Sequence, residues 1–317
     1  MLPISGVLPL SDNLFEKKGT FFRGNLHTHS DHSDGVLAAE EVCRRYKANG
    51  YDFIALTDHF IGRFSFPITD TRSFRQDGFT TILGAEIHSG AMQNGEIWHL
   101  LAVGLPQDFT PPEVQEFVAE PAQETGAALA KRAYDAGAFV SIVHPQWSGL
   151  TMDDARSIEC AHAVEIYNHG CEVACKRADG FCTLELLLNE GRKLNLIATD
   201  DAHFTEPDHF GGWVMVKALQ NTPDELLAAL KAGDFYSSQG PEIHKLKWNA
   251  NRTVSFECSA AESIIIQGYG SACVTHHQPS ITGATIELDK LRGSPWARFT
   301  VVDAAGNCAY SNPHWFS

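Results

Sequence analysis

Between Phe21 and about Gly240 the chain repeatedly exchanges a short apolar run for an amphipathic one, and this alternation limits the fold more than any other feature. "DFIALTDH", "TTILGAEIH", "IWHLLAVGL", "AFVSIVHP", "HAVEIYN" and "LNLIATDDAH" read as strands rich in β-branched and aliphatic residues. The intervening "VLAAEEVCRRYKANG", "PPEVQEFVAEPAQETGAALAKRAYDAG", "GFCTLELLLNEG" and "TPDELLAALKAG" have helical periodicity and end at glycine, as a left-handed C-cap requires. Repeated βα units predict a mainly parallel sheet covered by helices. After "FYSSQGP" the texture changes to short alternating strands, with "WNANRT" and "VDAAGN" reading as hairpin turns. The expected organisation is an N-terminal extension (1–20), an α/β domain (21–240) and a small antiparallel, sandwich-like β domain (241–317).

Nearly every strand of the α/β part ends on a side chain that can bind metal. "RGNLHTHSDHSDG" carries His27, His29 and Asp34. "TDH" ends at His59, "GAEIH" holds Glu86, "VHP" holds His144, and "DDAH" supplies Asp201 and His203. His99 interrupts the otherwise apolar "IWHLLAVG". A lone histidine on an apolar strand is ordinarily a satisfied core residue. Parallel α/β barrels, however, gather the carboxyl ends of their strands on one face, so residues distant in sequence converge there. So many in this arrangement point to a metal site, and mixed imidazole and carboxylate donors suit zinc, manganese or iron.

The formal charge of −15 argues against nucleic-acid binding through phosphate neutralisation. A local cationic centre supplied by divalent ions stays compatible with it. Eight cysteines without a C-x-x-C pair read as small buried hydrophobes with reduced thiols. The first nineteen residues lack a basic start and a long apolar core, and no apolar stretch is long enough to span a bilayer. A cytoplasmic protein with no membrane partner is expected. G-x-S-x-G and Gly-rich phosphate loops are absent, so the chemistry needs no serine nucleophile.

The motifs "NLHTHSDHSDG", "FIALTDH", "GAEI", "WHLLAVG", "VHP", "VEIYN" and "ATDDAH" together resemble the polymerase-and-histidinol-phosphatase (PHP) superfamily of metal-dependent phosphoesterases. The likeness covers about residues 22 to 240. "FYSSQGPEI" and the tail are more loosely similar to a subgroup with carbamate- and ester-cleaving members. The resemblance implies a distorted (β/α)7 barrel and a trinuclear site of two to three divalent ions. By that pattern His27, His29, Glu86 and Asp201 hold the first metal, and Asp34, His59 and His203 the second. Bridging Glu86 with His99 and His144 holds the third. Some members have histidine where Asp34 falls. Asp201 and His203 are the expected catalytic pair, with Asp201 orienting a metal-bridging hydroxide.

Beyond the ligands, Arg63, Arg177 and Asn168 are candidates for substrate binding, with His169 near the pocket mouth. His32, His88 and His162 are expected to be supporting or structural. Asp58 and Asp200 either orient ligands through hydrogen bonds or point away from the metals on strand alternation. The expected activity is hydrolysis of a small phosphate ester. Two alternatives stand beside it: a carbamate or carboxylic ester hydrolase using the same metals, and a noncatalytic metal-binding module.

Overall fold

The computed structural model describes residues 13–121 and 123–316. Most of the expected N-terminal extension, and the reading of its first residues, lies outside them. The chain begins with β1 (Thr20–Asn25), α1 (Ala39–Ala48), β2 (Phe53–Leu56), the short β3 (His59–Phe60), β4 (Thr80–Ala91) and β5 (Ile97–Val103). It continues through α2 (Gly126–Asp135), β6 (Phe139–Ile142), α3 (Pro145–Ser148), α4 (Met152–Ser157) and β7 (Ala163–Asn168). Then follow α5 (His169–Cys175), α6 (Phe181–Asn189), β8 (Asn195–Thr199), β9 (Trp213–Ala218), α7 (Pro223–Ala232) and β10 (Phe235–Ser238).

Helix α1 shows why the pattern works. Ala39, Val42, Cys43 and Tyr46 recur on one stripe and pack against Ile54 and Leu56 of β2. Helix α7 starts with proline at its first turn and stops at Gly233, whose φ of 75° suits the left-handed cap. The helix expected over 111–137 is confined to α2, which Thr125 caps by accepting a hydrogen bond from the Ala128 amide at 3.2 Å. Pro111, Pro112 and Pro121 account for the shortfall. Each lacks an amide donor and restricts the residue before it, so the described residues from 106 to 124 form a loop.

The protein is mixed α/β around a central sheet. Strands β1, β2 and β4 run parallel, as do β6, β7 and β8. Strand β5 is antiparallel to both β4 and β6, which departs from the strict βα alternation expected. The turn "MQNGE" explains its pairing with β4, since five residues allow a hairpin but not a crossover helix. The carboxyl ends of β1 and β8 meet in a parallel bridge between Thr28 and Ala202, with the Asp201 amide donating to the His27 carbonyl at 2.8 Å. Below that point β9 pairs antiparallel with β1 instead.

Inward-facing positions change character along each strand. Phe53 and Ala55 precede Thr57 and His59, Ile82 precedes Gly84 and Glu86, and Ile197 precedes Thr199 and Asp201. Antiparallel β5 reverses the order, with His99 before Leu101 and Val103. Apolar residues thus fill one end of the sheet's interior, and polar donors collect at the other.

The tail comprises β11 (Ile243–Asn249), β12 (Thr253–Gly268), β13 (Cys273–Glu287), β14 (Trp296–Val302), β15 (Cys308–Ser311) and β16 (His314–Trp315). Its pairing is antiparallel throughout, and both expected hairpin turns are present. It does not form a sheet of its own. Strand β15 pairs with β10, which pairs with β9, so the tail continues the central sheet. Asn312 fastens the junction: its Oδ1 accepts from the Leu196 amide at 2.9 Å and its Nδ2 donates to the Gly233 and Phe235 carbonyls. No helix among the described residues is long and apolar enough to cross a membrane.

Candidate metal centre

Glu86 sits where the strand ends converge. Its Oε1 lies 2.7 Å from His99 Nδ1 and 3.2 Å from His144 Nε2. Its Oε2 lies 2.8 Å from His59 Nδ1, 3.4 Å from His27 Nε2 and 3.5 Å from His29 Nε2. Asp201 Oδ1 is 2.9 Å from His29 Nε2 and 3.3 Å from His27 Nε2. Asp34 Oδ1 lies 3.2 Å from His203 Nε2 and 3.4 Å from His59 Nε2. All nine expected ligands therefore share one site. His27, His29 and Glu86 are fully buried, whereas Asp34 is exposed at the mouth.

Two backbone features serve this convergence. Asp201 and His144 adopt φ values of 54° and 28°, conformations that are costly for non-glycine residues and recur at functional sites. In "SDG", a Cβ on Gly35 would stand 2.8 Å from the His29 carbonyl group, so the loop bearing Asp34 can close onto the histidines only with glycine there.

Hydrogen bonds fix which nitrogen each ring presents. Glu165 Oε1 accepts from His27 Nδ1 at 3.0 Å, leaving His27 Nε2 directed at the carboxylates. His203 Nδ1 donates to the Asp201 carbonyl at 3.0 Å, which turns Nε2 toward Asp34. His88 Nδ1 donates to the Trp98 carbonyl at 3.1 Å, so its Nε2 can accept from His59 Nδ1, 2.9 Å away. Glu165 went unrecognised among the sequence candidates because "VEIYN" offers only a carboxylate inside a strand. Its second oxygen accepts from the His144 amide and from Asn168, and the Thr199 hydroxyl donates to its first.

The donors fall into three groups whose ligand atoms lie within 4.8 Å of one another. These are His27, His29, Glu86 and Asp201; His29, Asp34, His59 and His203; and His59, Glu86, His88 and His99. The first matches the expected set. The second adds His29, and the third contains His59 and His88, the latter expected to be a supporting residue, in place of His144. The side chains fit a metal on their own chemistry. His27 Nε2 and Glu86 Oε2 are buried, face each other and make no well-formed hydrogen bond, although His59 Nδ1 stands 2.8 Å from the carboxylate oxygen. A cation among them would satisfy both atoms.

Charges among the donor side chains offset one another. Burial opposes ionisation of Glu86, but neighbouring His59 and His99 hold its carboxyl well below the usual range. Burial likewise opposes the charge on Asp201, which His27 and His29 outweigh. Burial lowers the basicity of His59 and His203, yet Glu86 and Asp34 push His59 up to about 10, and Asp34 and Asp201 push His203 up to about 9. His29 falls to about 4 through burial and the charges of His203 and His59. Metal must therefore displace protons. Against burial, Asp201 and Glu165 likewise raise His27 well above its ordinary value. At pH 7.5, calorimetric metal titrations in buffers of different ionisation enthalpy should therefore report release of about three protons as His27, His59 and His203 take up metal. Uptake without proton release would contradict these protonation states.

The other candidates are placed differently. Asp58 accepts from the Ser30 amide and the Ser30, Ser33 and Thr69 hydroxyls, bracing the loop that carries Asp34. Asp200 accepts from Tyr46 and from the amides of Phe210, Gly211 and Gly212, and so points away from the metal ligands. Asn168 does not stand free to meet a substrate: its Nδ2 donates to Asp201 Oδ2 and Glu165 at 3.0 Å, and its Oδ1 accepts from the Cys171 amide. His169 lies beside Tyr167, with Nδ1 2.9 Å from its hydroxyl. His32 contacts Thr69, and His162 accepts from the Val140 amide. Arg63 is exposed, 3.8 Å from Glu116, and Arg177 is exposed. Neither lines the 420 Å³ cavity over the donors.

The sequence profile of the PHP domain family matches residues 25–184. No curated protein matches the chain in sequence at a significant level. Among solved structures, a two-domain protein from Bacteroides vulgatus, containing a predicted PHP-like metal-dependent phosphoesterase, is similar with a TM-score of 0.53. It is 16% identical, and the match covers 96% of both chains, so it shows a shared fold. An amidohydrolase from Chromobacterium violaceum with bound sulfate and no metal gives 0.43 at 13% identity, over 58% of this chain and 89% of its own.

Proposed function

Because the chain belongs to the PHP domain family, we propose that it is a metal-dependent phosphoesterase acting on a small phosphate ester. The observation that carries this reading is the convergence of buried imidazole and carboxylate donors, with His27 Nε2 and Glu86 Oε2 left without a well-formed hydrogen bond at their focus. On this reading the strands form a distorted seven-stranded barrel, and zinc, manganese or iron would occupy up to three positions. His27, His29, Glu86 and Asp201 would hold one ion, and Asp34, His59 and His203 a second. Glu86 with His99 and His144 would hold a third, with His88 steadying His59.

Divalent ions bound there supply Lewis acidity and lower the pKa of water toward neutrality. The protein's own residues supply orientation. Asn168 ties down Asp201 Oδ2, leaving Oδ1 toward His27 and His29, where it can align an attacking water. Glu165 holds His27, and the Asp201 carbonyl holds His203. Among the described residues no lysine or arginine lines the cavity, so phosphoryl charge has to be met by the ions. That same observation favours a second reading, hydrolysis of a carbamate or carboxylic ester, which carries less charge to neutralise.

Metal analysis of the purified protein should find two to three divalent ions per chain, and chelation should abolish hydrolysis. A panel of phosphomonoesters, cyclic phosphates, carbamates and aryl esters then separates the two readings. Full hydrolysis by metal-free protein would remove both. Bound metal with no ester cleaved would indicate a noncatalytic module.

Arg63 and His59 should respond differently to replacement. Arg63→Ala should weaken substrate binding by about tenfold at most, the scale of one charge-assisted hydrogen bond. His59→Ala removes a ligand and should cost far more in kcat/KM. Comparable losses would mean that the arginine dominates recognition.

A further inference from the structure

We propose that the substrate joins its single phosphoryl group to a flat, apolar ring and carries no second anionic group. The inference rests on the phosphoesterase reading and names the class of ester that the cavity accepts. Besides the metal donors, the cavity is lined by Ile97, Phe117, Trp147 and Ala174. Trp147 is 44% exposed although it packs edge-on against His144 and His99, with ring centroids 4.9 and 5.4 Å away. Phe117 lies nearly parallel to His99, 6.2 Å away at 12°. The ring of His99 is thus flanked by two aromatic groups bordering the space beside the reacting centre.

An exposed indole alone is unremarkable on a protein surface. Here it stands at the mouth of a cavity that also has isoleucine and phenylalanine in its wall. Such a surface binds a planar ring through area burial and offset or edge-on packing. The polar lining beyond the expected ligands carries the opposite message. Glu96, Glu206 and Asp208 border the cavity without a lysine or arginine among its described lining residues. A second phosphate or a carboxylate on the leaving group would approach these carboxylates without a protein cation to pair with it. In the reaction, water adds its oxygen to phosphorus and the bond from phosphorus to the ester oxygen that carries the ring breaks. A proton from water ends on the departing phenol or alcohol.

Non-hydrolysable phosphonates test the selectivity without turnover. Calorimetric titration of the metal-loaded protein should show phenylphosphonate binding about tenfold more tightly than methylphosphonate. A 4-carboxyl group on the phenyl ring should weaken binding roughly fivefold. Trp147→Ala should bring the phenyl-to-methyl ratio close to one, and Glu96→Gln with Glu206→Gln should narrow the carboxylate penalty. Equal affinity for phenyl- and methylphosphonate, or tighter binding of the carboxylated ring, would overturn the proposal. The same preparation is then assayed on phenyl phosphate. Turnover without any phenyl preference overturns the ring inference and leaves the phosphoesterase reading. Phenyl preference without turnover overturns the phosphoesterase reading, while the cavity's selectivity for rings survives.

Discussion

Asp201→Ala should lower turnover by about a thousandfold or more while leaving a folded protein. Loss of Lewis-acid stabilisation from a displaced ion is worth several kcal/mol, and about 4 kcal/mol corresponds to roughly a thousandfold. The Asp201 carboxylate also receives a hydrogen bond from Asn168, so it is oriented as well as charged. Its φ of 54° complicates the alanine variant, because alanine tolerates that region less well than aspartate or asparagine. Asp201→Asn keeps the side chain's shape and backbone tolerance while removing the charge, and should lose comparable activity. Bound metal measured on both variants should fall, with the circular dichroism spectrum unchanged. Near-normal turnover in Asp201→Asn would show that the carboxylate is not part of the chemistry.

Trp296→Ala should destabilise the protein by about 3–5 kcal/mol, the usual range for emptying a large aromatic site. Trp296 belongs to β14 in the tail, is fully buried, and shares an apolar cluster with Leu184 and Leu196 from the first part of the chain. Its indole nitrogen has no partner, so the loss is one of packing and not of a hydrogen bond. Because that cluster joins both parts, urea unfolding should remain a single transition displaced to lower midpoint. A change under about 1 kcal/mol, or separate unfolding of the tail with the metal site intact, would show that the two parts are energetically independent.

The sequence exposed the metal centre more completely than the framework around it. Histidines and carboxylates at strand ends stand out against apolar neighbours, so the nine expected ligands could be named, and all of them meet in space. Supporting residues lacked that contrast. Glu165 sits mid-strand and His88 follows Glu86 by two, and only the three-dimensional contacts with His27 and His59 give them a role. Asn168 was visible but misassigned, since sequence cannot show that all its polar atoms are already engaged. The direction of β5 and the fusion of the tail with the central sheet were illegible for another reason. Alternation reports which residues face inward but not which neighbouring strand they pair with. The helix expected before α2 failed because its apolar spacing was read without enough weight on three prolines.

The bridge between Thr28 and Ala202 joins residues 174 positions apart. A nascent chain synthesised only as far as β7 already contains His27, His29, Asp34, His59, Glu86, His99 and His144, but neither Asp201 nor His203. The donors of the first and second sets are therefore incomplete until β8 has emerged and returned to β1. Closing so long a loop carries a large entropic cost before any contact repays it, which places assembly of the centre late in folding. Metal held by the first or second set is then a report of completed topology: it marks chains in which the first strand and the eighth have found each other.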